Sequence, residues 1–160
     1  MKALVVYSSQ TGNTKKLAET IYNTLSGEKR IVSIEQAPVP DEDEMVFIGF
    51  WLQAGKPDPK STEYLAKVGN ARLFLFATHG AAADSKHAQD GLAHAKSLAP
   101  SADIAGTFSC QGEVNPKVLE KARRKTPPPP WINDADGAMG HPNAADEANL
   151  KAVIAALPLN

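Results

Sequence analysis

At 160 residues the chain is of one-domain size and long enough to bury a substantial core. A formal net charge of −1 and a pI near 6.4 give no overall basic character that would argue for nucleic acid. A single cysteine, Cys110, excludes an internal disulfide and any multi-cysteine metal site and fits a reducing interior, while no run approaches the ~20 apolar residues of a membrane span.

The first residues enter a strand with no basic region, apolar signal core or cleavage site, so the expectation is a cytoplasmic protein without membrane insertion. Lys2-Ala3-Leu4-Val5-Val6-Tyr7 has the length and branched content of a buried parallel strand. Beyond it, Leu17, Ala18, Ile21, Tyr22 and Leu25 recur at helical spacing and put one stripe against a sheet. The stretch between, Ser8 to Thr14, turns strand into helix with hydroxyl side chains, one glycine and one asparagine. Backbone N–H groups and short donors can converge there beside a helix N-terminus, an arrangement that suits a phosphate. It has neither the ending of a Walker loop nor the glycines of a Gly-x-Gly-x-x-Gly fingerprint. With no Lys or Arg inside it, the loop offers neutral dipoles, which fits a monophosphate better than a metal-bound triphosphate. The same composition also describes an ordinary capped turn.

Ser26-Gly27 stops the first helix, and Arg30 to Ile34 reads as a short second strand near a sheet edge. Pro38, Pro40 and the acidic run Asp41-Glu42-Asp43-Glu44 make a loop that is either simply solvated or a docking patch. Met45 to Phe50 is uninterrupted apolar sequence, as a central strand covered on both faces requires. Trp51 to Pro59 follows as a loop, and Ser61 can cap a helix whose inward side carries Tyr64, Leu65 and Val68. Ala71 to Ala77 is the fourth strand, left through the small-residue loop Thr78 to Ala83, where backbone can approach a flat ligand. Asp84-Ser85 begins a third helix that runs to about Leu98, and Ala102 to Ser109 is the fifth strand. Asn115-Pro116 starts a helix with Val118, Leu119 and Ala122 as its buried face. Residues 126–142 break the pattern as a proline-rich excursion, either ordered or a mobile lid. Asn143 then caps a last helix with Leu150, Val153, Ile154 and Leu157 on one stripe. Strands each followed by helical sequence imply an α/β fold with a parallel sheet and helices on both faces.

Ser9-Gln10-Thr11-Gly12-Asn13-Thr14, directly after the first strand, resembles the Ser/Thr-x-Thr-Gly-x-Thr phosphate loop of the flavodoxin family. Gly49-Phe50-Trp51, Phe76-x-Thr78-x-Gly80-Ala81, Phe108-x-Cys110-Gln111-Gly112 and Gly140-His141-Pro142 are similar to a short flavodoxin-like branch of anaerobic bacteria. The resemblance implies one doubly wound, five-stranded domain over residues 1–160, strand order 2-1-3-4-5, with the ligand beyond the strand ends at the switch point. It also implies FMN as cofactor, with its phosphate on Ser9, Gln10, Thr11, Gly12, Asn13 and Thr14. The ring would lie between Trp51, Leu52, Gln53, Ala54 and Gly55 on one side and Thr78, His79, Gly80 and Ala81 on the other. Trp51 falls about two residues before the position of the family's ring aromatic, Gln53 occupies that position, and the third loop lacks the tyrosine many flavodoxins stack.

The function so implied is a low-potential, one-electron carrier between redox partner proteins, a reductase donor and an acceptor enzyme. The alternative is an FMN-dependent NAD(P)H oxidoreductase acting on a quinone or other small acceptor, and a third class is a flavin-free binding module on the same scaffold. No residue stands out as catalytic and no spacing marks a metal site. His79 is either a proton carrier that stabilises an anionic reduced flavin or an ordinary loop histidine. Cys110 is either a small core thiol or a redox thiol, and no following cation lowers its pKa.

Overall fold

A computed structural model of the chain describes residues 1–159; Asn160, the last residue of the expected domain, lies outside them. Strands β1 (Lys2–Tyr7), β2 (Glu28–Ser33), β3 (Glu44–Gln53), β4 (Lys56–Pro57), β5 (Arg72–His79) and β6 (Asp103–Gln111) form one sheet. The five long strands are parallel in the order β2-β1-β3-β5-β6, which is the expected 2-1-3-4-5 with a short strand added. Helices α1 (Asn13–Thr24), α2 (Pro59–Leu65), α3 (Lys86–Leu98), α4 (Pro116–Arg123) and α5 (Ala144–Ala155) alternate with them. No helix among the described residues is long and apolar enough to cross a membrane.

The continuous apolar runs of β1, β3 and β5 are buried on both faces because helices cover both. Leu4, Val46, Phe50, Leu73 and Leu75 face α2 and α3, whereas Ala3, Val5, Phe47, Phe74 and Phe76 face α1 and α5. The stripes read at helical spacing do the covering, through Leu17, Ala18 and Ile21 of α1 and Leu150 and Ile154 of α5.

Four local expectations are corrected. The second strand begins two residues earlier, at Glu28, because pairing with Lys2 of β1 outweighs the polar character of Glu28 and Lys29 at a solvated edge. Glu44 belongs to no solvated run: it is 6% exposed and accepts both Arg30 Nη2 contacts, at 2.8 and 2.9 Å. The cap of α2 is Asp58, whose carboxylate accepts from the Ser61 N–H, and the residue after it, Pro59, opens the helix. Finally, α4 packs chiefly against a 3-10 turn at Ile132–Ala138 rather than on the sheet, so Ala122 is buried but Val118 is exposed.

Candidate functional site

Loops leaving the carboxyl ends of β1, β3, β5 and β6 meet at one edge of the sheet, where open α/β sheets bind ligands. The first of them is anchored at its root. Ser8 N–H donates to the Gly49 carbonyl at 2.9 Å, and Ser8 Oγ donates to Asp58 Oδ1 at 2.9 Å. Asp58 is 1% exposed, and its carboxylate also accepts Ser61 N–H at 3.2 Å and Ser61 Oγ at 2.8 Å. A buried carboxylate with three donors is well satisfied and holds the loop root rigidly to α2.

Above that root, Gln10, Thr11 and Gly12 stand in solvent. Gly12 N–H donates to Ser9 Oγ at 3.1 Å, and Gly12 itself has φ of 94°, a left-handed conformation that glycine adopts without penalty. Because Gly12 is the N-cap of α1, no side chain caps that helix, whereas Asp58, Ser85, Asn115 and Asn143 cap the other four. The first N–H groups of α1 have no intrahelical acceptor, so an uncapped start leaves them to an external anion. Nothing lies within 4 Å of where a Gly12 Cβ would be. This open cradle fits a phosphate group.

The last two residues of the expected loop are spent on the neighbouring strand ends. Asn13 Nδ2 donates to the Glu113 carbonyl at 3.1 Å, and the buried Thr14 and Thr78 hydroxyls share a hydrogen bond at 3.0 Å. Both contacts hold the α1 N-terminus against β5 and β6.

The second loop is a hairpin turn. β3 runs on through Trp51, Leu52 and Gln53, turns at Ala54 (φ 52°) and Gly55 (φ 78°), and returns antiparallel as β4. Two consecutive residues at positive φ match the twist of the flanking strands, and an alanine held there marks a strained tip. By pleat alternation, Trp51, in register with Thr78, lies on the α1 face, while Leu52 packs on the opposite face against Gly91 of α3. Gln53 and Ala54 are exposed.

The fourth long strand runs two residues past the expected Ala77, so Thr78 and His79 end β5 and do not open the third loop. His79 is only 6% exposed, and its Nδ1 sits 2.8 Å from the Ala81 carbonyl, so the ring proton is on Nδ1. Its Nε2 is buried with no partner among the described residues. Burial pushes the imidazole down to about 4; the Ala81 carbonyl opposes this, His87 adds to it and Asp134 opposes it. In these protein surroundings His79 is therefore neutral near neutral pH. Gly80 is tightly enclosed: a Cβ there would fall 2.7 Å from Val114 Cγ2 and 3.2 Å from Trp131 Cε3.

That contact places Trp131 of the 126–142 excursion against the third loop. Asp134 Oδ2 accepts the Ala82 N–H at 3.0 Å, the Asp134 carbonyl accepts Gln111 Nε2 at 3.3 Å, and Lys16 Nζ donates to the Pro142 carbonyl at 2.6 Å. His141 Nδ1 meets Asp146 Oδ2 at 2.6 Å, beside the capping box of Asn143 and Asp146 that starts α5. At the end of β6, Cys110 is buried and its thiol is pushed well above the usual range by that burial, as a core thiol would be.

Asp58 and Trp131 were not among the expected site residues. The Asp58-Pro59 pair carries a helix-start signal that identifies the carboxylate, whereas nothing local marks Trp131 in an aperiodic segment. An open cleft of about 460 Å³ also lies between α1 and the end of β2, lined in part by Tyr7, Lys15, Tyr22 and Gln36. It includes none of the expected residues and no buried unpaired polar atom, so the sheet edge remains the better-built site.

A family model described as a flavodoxin domain matches residues 4–155. The chain is 36% identical over 119 residues to the flavodoxin-like domain-containing protein BilS of Clostridioides difficile, covering 71% of this chain and 68% of that protein. Among solved structures it is similar to a flavoprotein of Lactobacillus acidophilus in complex with FMN, with TM-score 0.56 and 16% identity, covering 68% of this chain and 92% of the other. It is also similar to the two-electron reduced flavodoxin of Megasphaera elsdenii, with TM-score 0.57 and 17% identity, covering 85% and 96% respectively. At such identities the solved structures speak to the fold alone.

Proposed function

The chain belongs to the flavodoxin domain family, and from that premise we propose that residues 1–160 act as one FMN-binding unit that carries single electrons at low potential between redox partner proteins. The observation that carries this reading is the α1 N-terminus, left without a side-chain cap beneath an exposed, hydroxyl-rich loop. Membership of the flavodoxin family supports the choice of anion, and a protein of the same fold is known in complex with FMN.

In this reading the backbone of Gln10 to Asn13 and the hydroxyls of Ser9 and Thr11 hold the phosphate by dipoles. Asp58 fixes the loop root through Ser8, and the Thr14–Thr78 pair fixes the helix start. The ring lies between the Trp51–Gly55 hairpin and Thr78 to Ala81. The strained Ala54-Gly55 tip supplies a peptide that can reorient. Trp131, packed on Gly80, supplies the aromatic surface that the third loop lacks in its own sequence. FMN when bound supplies one-electron chemistry, and the protein sets its access and its potential. Neutral His79 brings no positive charge to the ring, so negative charge accumulating there is costly and the potential is low.

The test is the visible spectrum of gently purified protein followed by stepwise anaerobic reduction. A flavin spectrum, two separate one-electron stages and no steady NAD(P)H turnover support the carrier. A colourless protein that takes up no FMN overturns the cofactor, and a single two-electron stage with steady NAD(P)H turnover overturns the carrier in favour of a reductase.

A further inference from the structure

Helix α4 is where the local charge departs most from that of the whole chain. Lys117, Lys121 and Arg123, together with Arg124 and Lys125 just beyond its end, are all exposed, and Glu120 is the one carboxylate among them. Residues 116–125 thus carry four net positive charges in a chain whose total is −1, which leaves the rest of the molecule five charges negative. Glu120 meets Arg124 at 2.6 Å and Asp136 meets Arg123 at 3.2 Å, both as solvent-exposed pairs of small worth. Lys117, Lys121 and Lys125 have no carboxylate within ion-pair distance among the described residues.

Apolar side chains are exposed on the same two elements. Val118 of α4 is 49% exposed, and Met139, directly after the 3-10 turn on which α4 packs, is 68% exposed. The platform is tied to the sheet edge from below. Val114, two residues before α4, touches the Gly80 position, and the Glu113 carbonyl and carboxylate hold Asn13 and the Gly140 N–H.

We propose that α4 with Met139 is the docking surface for an acidic redox protein, an inference that rests on the carrier reading above. Exposed cations and exposed apolar side chains on one helix and at the end of the turn it packs on supply the two ingredients of a protein interface, a polar rim and an apolar centre. A nucleic acid would use the cations and leave Val118 and Met139 without a role. The rest of the chain is net negative, so the charge separation favours approach of an acidic partner on the α4 side and seats it beside the third loop.

The experiment uses two haem proteins of opposite charge as acceptors, acidic cytochrome b5 and basic cytochrome c, with protein whose flavin content is first measured by absorbance. Failure to load FMN at that stage would strike the carrier reading and is seen before any docking is measured. Calorimetric binding of cytochrome b5 to the oxidised protein, and stopped-flow reduction of each haem by the reduced protein, are then compared for wild type, Lys117→Glu/Lys121→Glu and Lys117→Gln/Lys121→Gln. The expected result is that transfer to cytochrome b5 slows by about tenfold or more in high salt and in the Glu variant. Transfer to cytochrome c is expected to hold or speed up in that variant, with the Gln variant between. Cytochrome b5 binding and transfer that ignore the substitutions would overturn the proposal. So would equal slowing toward both haem proteins, or tighter binding of a single-stranded oligonucleotide than of cytochrome b5 at the same salt.

Discussion

Acidification offers a sharp test of the third loop, because His79 is held neutral by burial with a native pKa of about 4 against a free value near 6.5. Between those values the unfolded chain binds a proton that the native protein refuses, so stability is whole above about pH 6.5 and falls as the pH drops toward 4. The separation sets a ceiling of about 3 kcal/mol, of which about 2 kcal/mol is lost between neutral pH and about pH 4.5. Other groups titrate in the same range, so the readout is the difference between wild type and His79→Asn, whose amide can still donate to the Ala81 carbonyl but cannot charge. Urea unfolding at the two pH values measures it: at a slope of about 1–3 kcal/mol per molar, the wild-type midpoint should fall by about 1 M more than that of the variant. Equal acid losses in the two proteins would show that His79 is not the buried neutral group inferred from its surroundings.

Asp58→Ala leaves Ser8 Oγ and both Ser61 donors without their buried acceptor and should cost about 2–4 kcal/mol in urea unfolding, with Asp58→Asn milder; a loss below about 1 kcal/mol would contradict the anchoring role. Gly49→Ala would put a Cβ 2.2 Å from Cε2 of the fully buried Phe76 and should cost about 1–3 kcal/mol, partly restored by Phe76→Leu; a neutral Gly49→Ala would contradict the register of β3 on β5. Cys110 should react with a thiol reagent only as the chain opens, at a rate that climbs with urea, and immediate labelling of the native protein would contradict its burial.

The sheet was readable because β1, β3 and β5 are buried on both faces, and a strand in that position must be apolar without interruption. The first loop was readable because it sits at a strand-to-helix junction. What escaped depended on partners distant in sequence. The stripe of Val118, Leu119 and Ala122 shows which face of α4 could be buried, not that the 3-10 turn covers only the Ala122 end of it. Glu44 is hidden in a run of four acids, and only the return of Arg30 on β2 makes it a buried partner. The hairpin escaped for a local reason, since Ala54-Gly55 lacks the asparagine or aspartate that usually announces such a turn. Trp131 reaches Gly80 only once residues 126–142 have folded back, and no periodicity in that segment announces it.

The most direct measurement titrates FMN and riboflavin separately into apoprotein and follows quenching of flavin fluorescence. If the uncapped start of α1 holds the phosphate, FMN should bind more tightly than riboflavin by about a hundredfold, the worth of two charge-assisted hydrogen bonds at about 1.5 kcal/mol each. Equal affinities for the two flavins, or no binding of either, would contradict a phosphate site at Ser9 to Asn13.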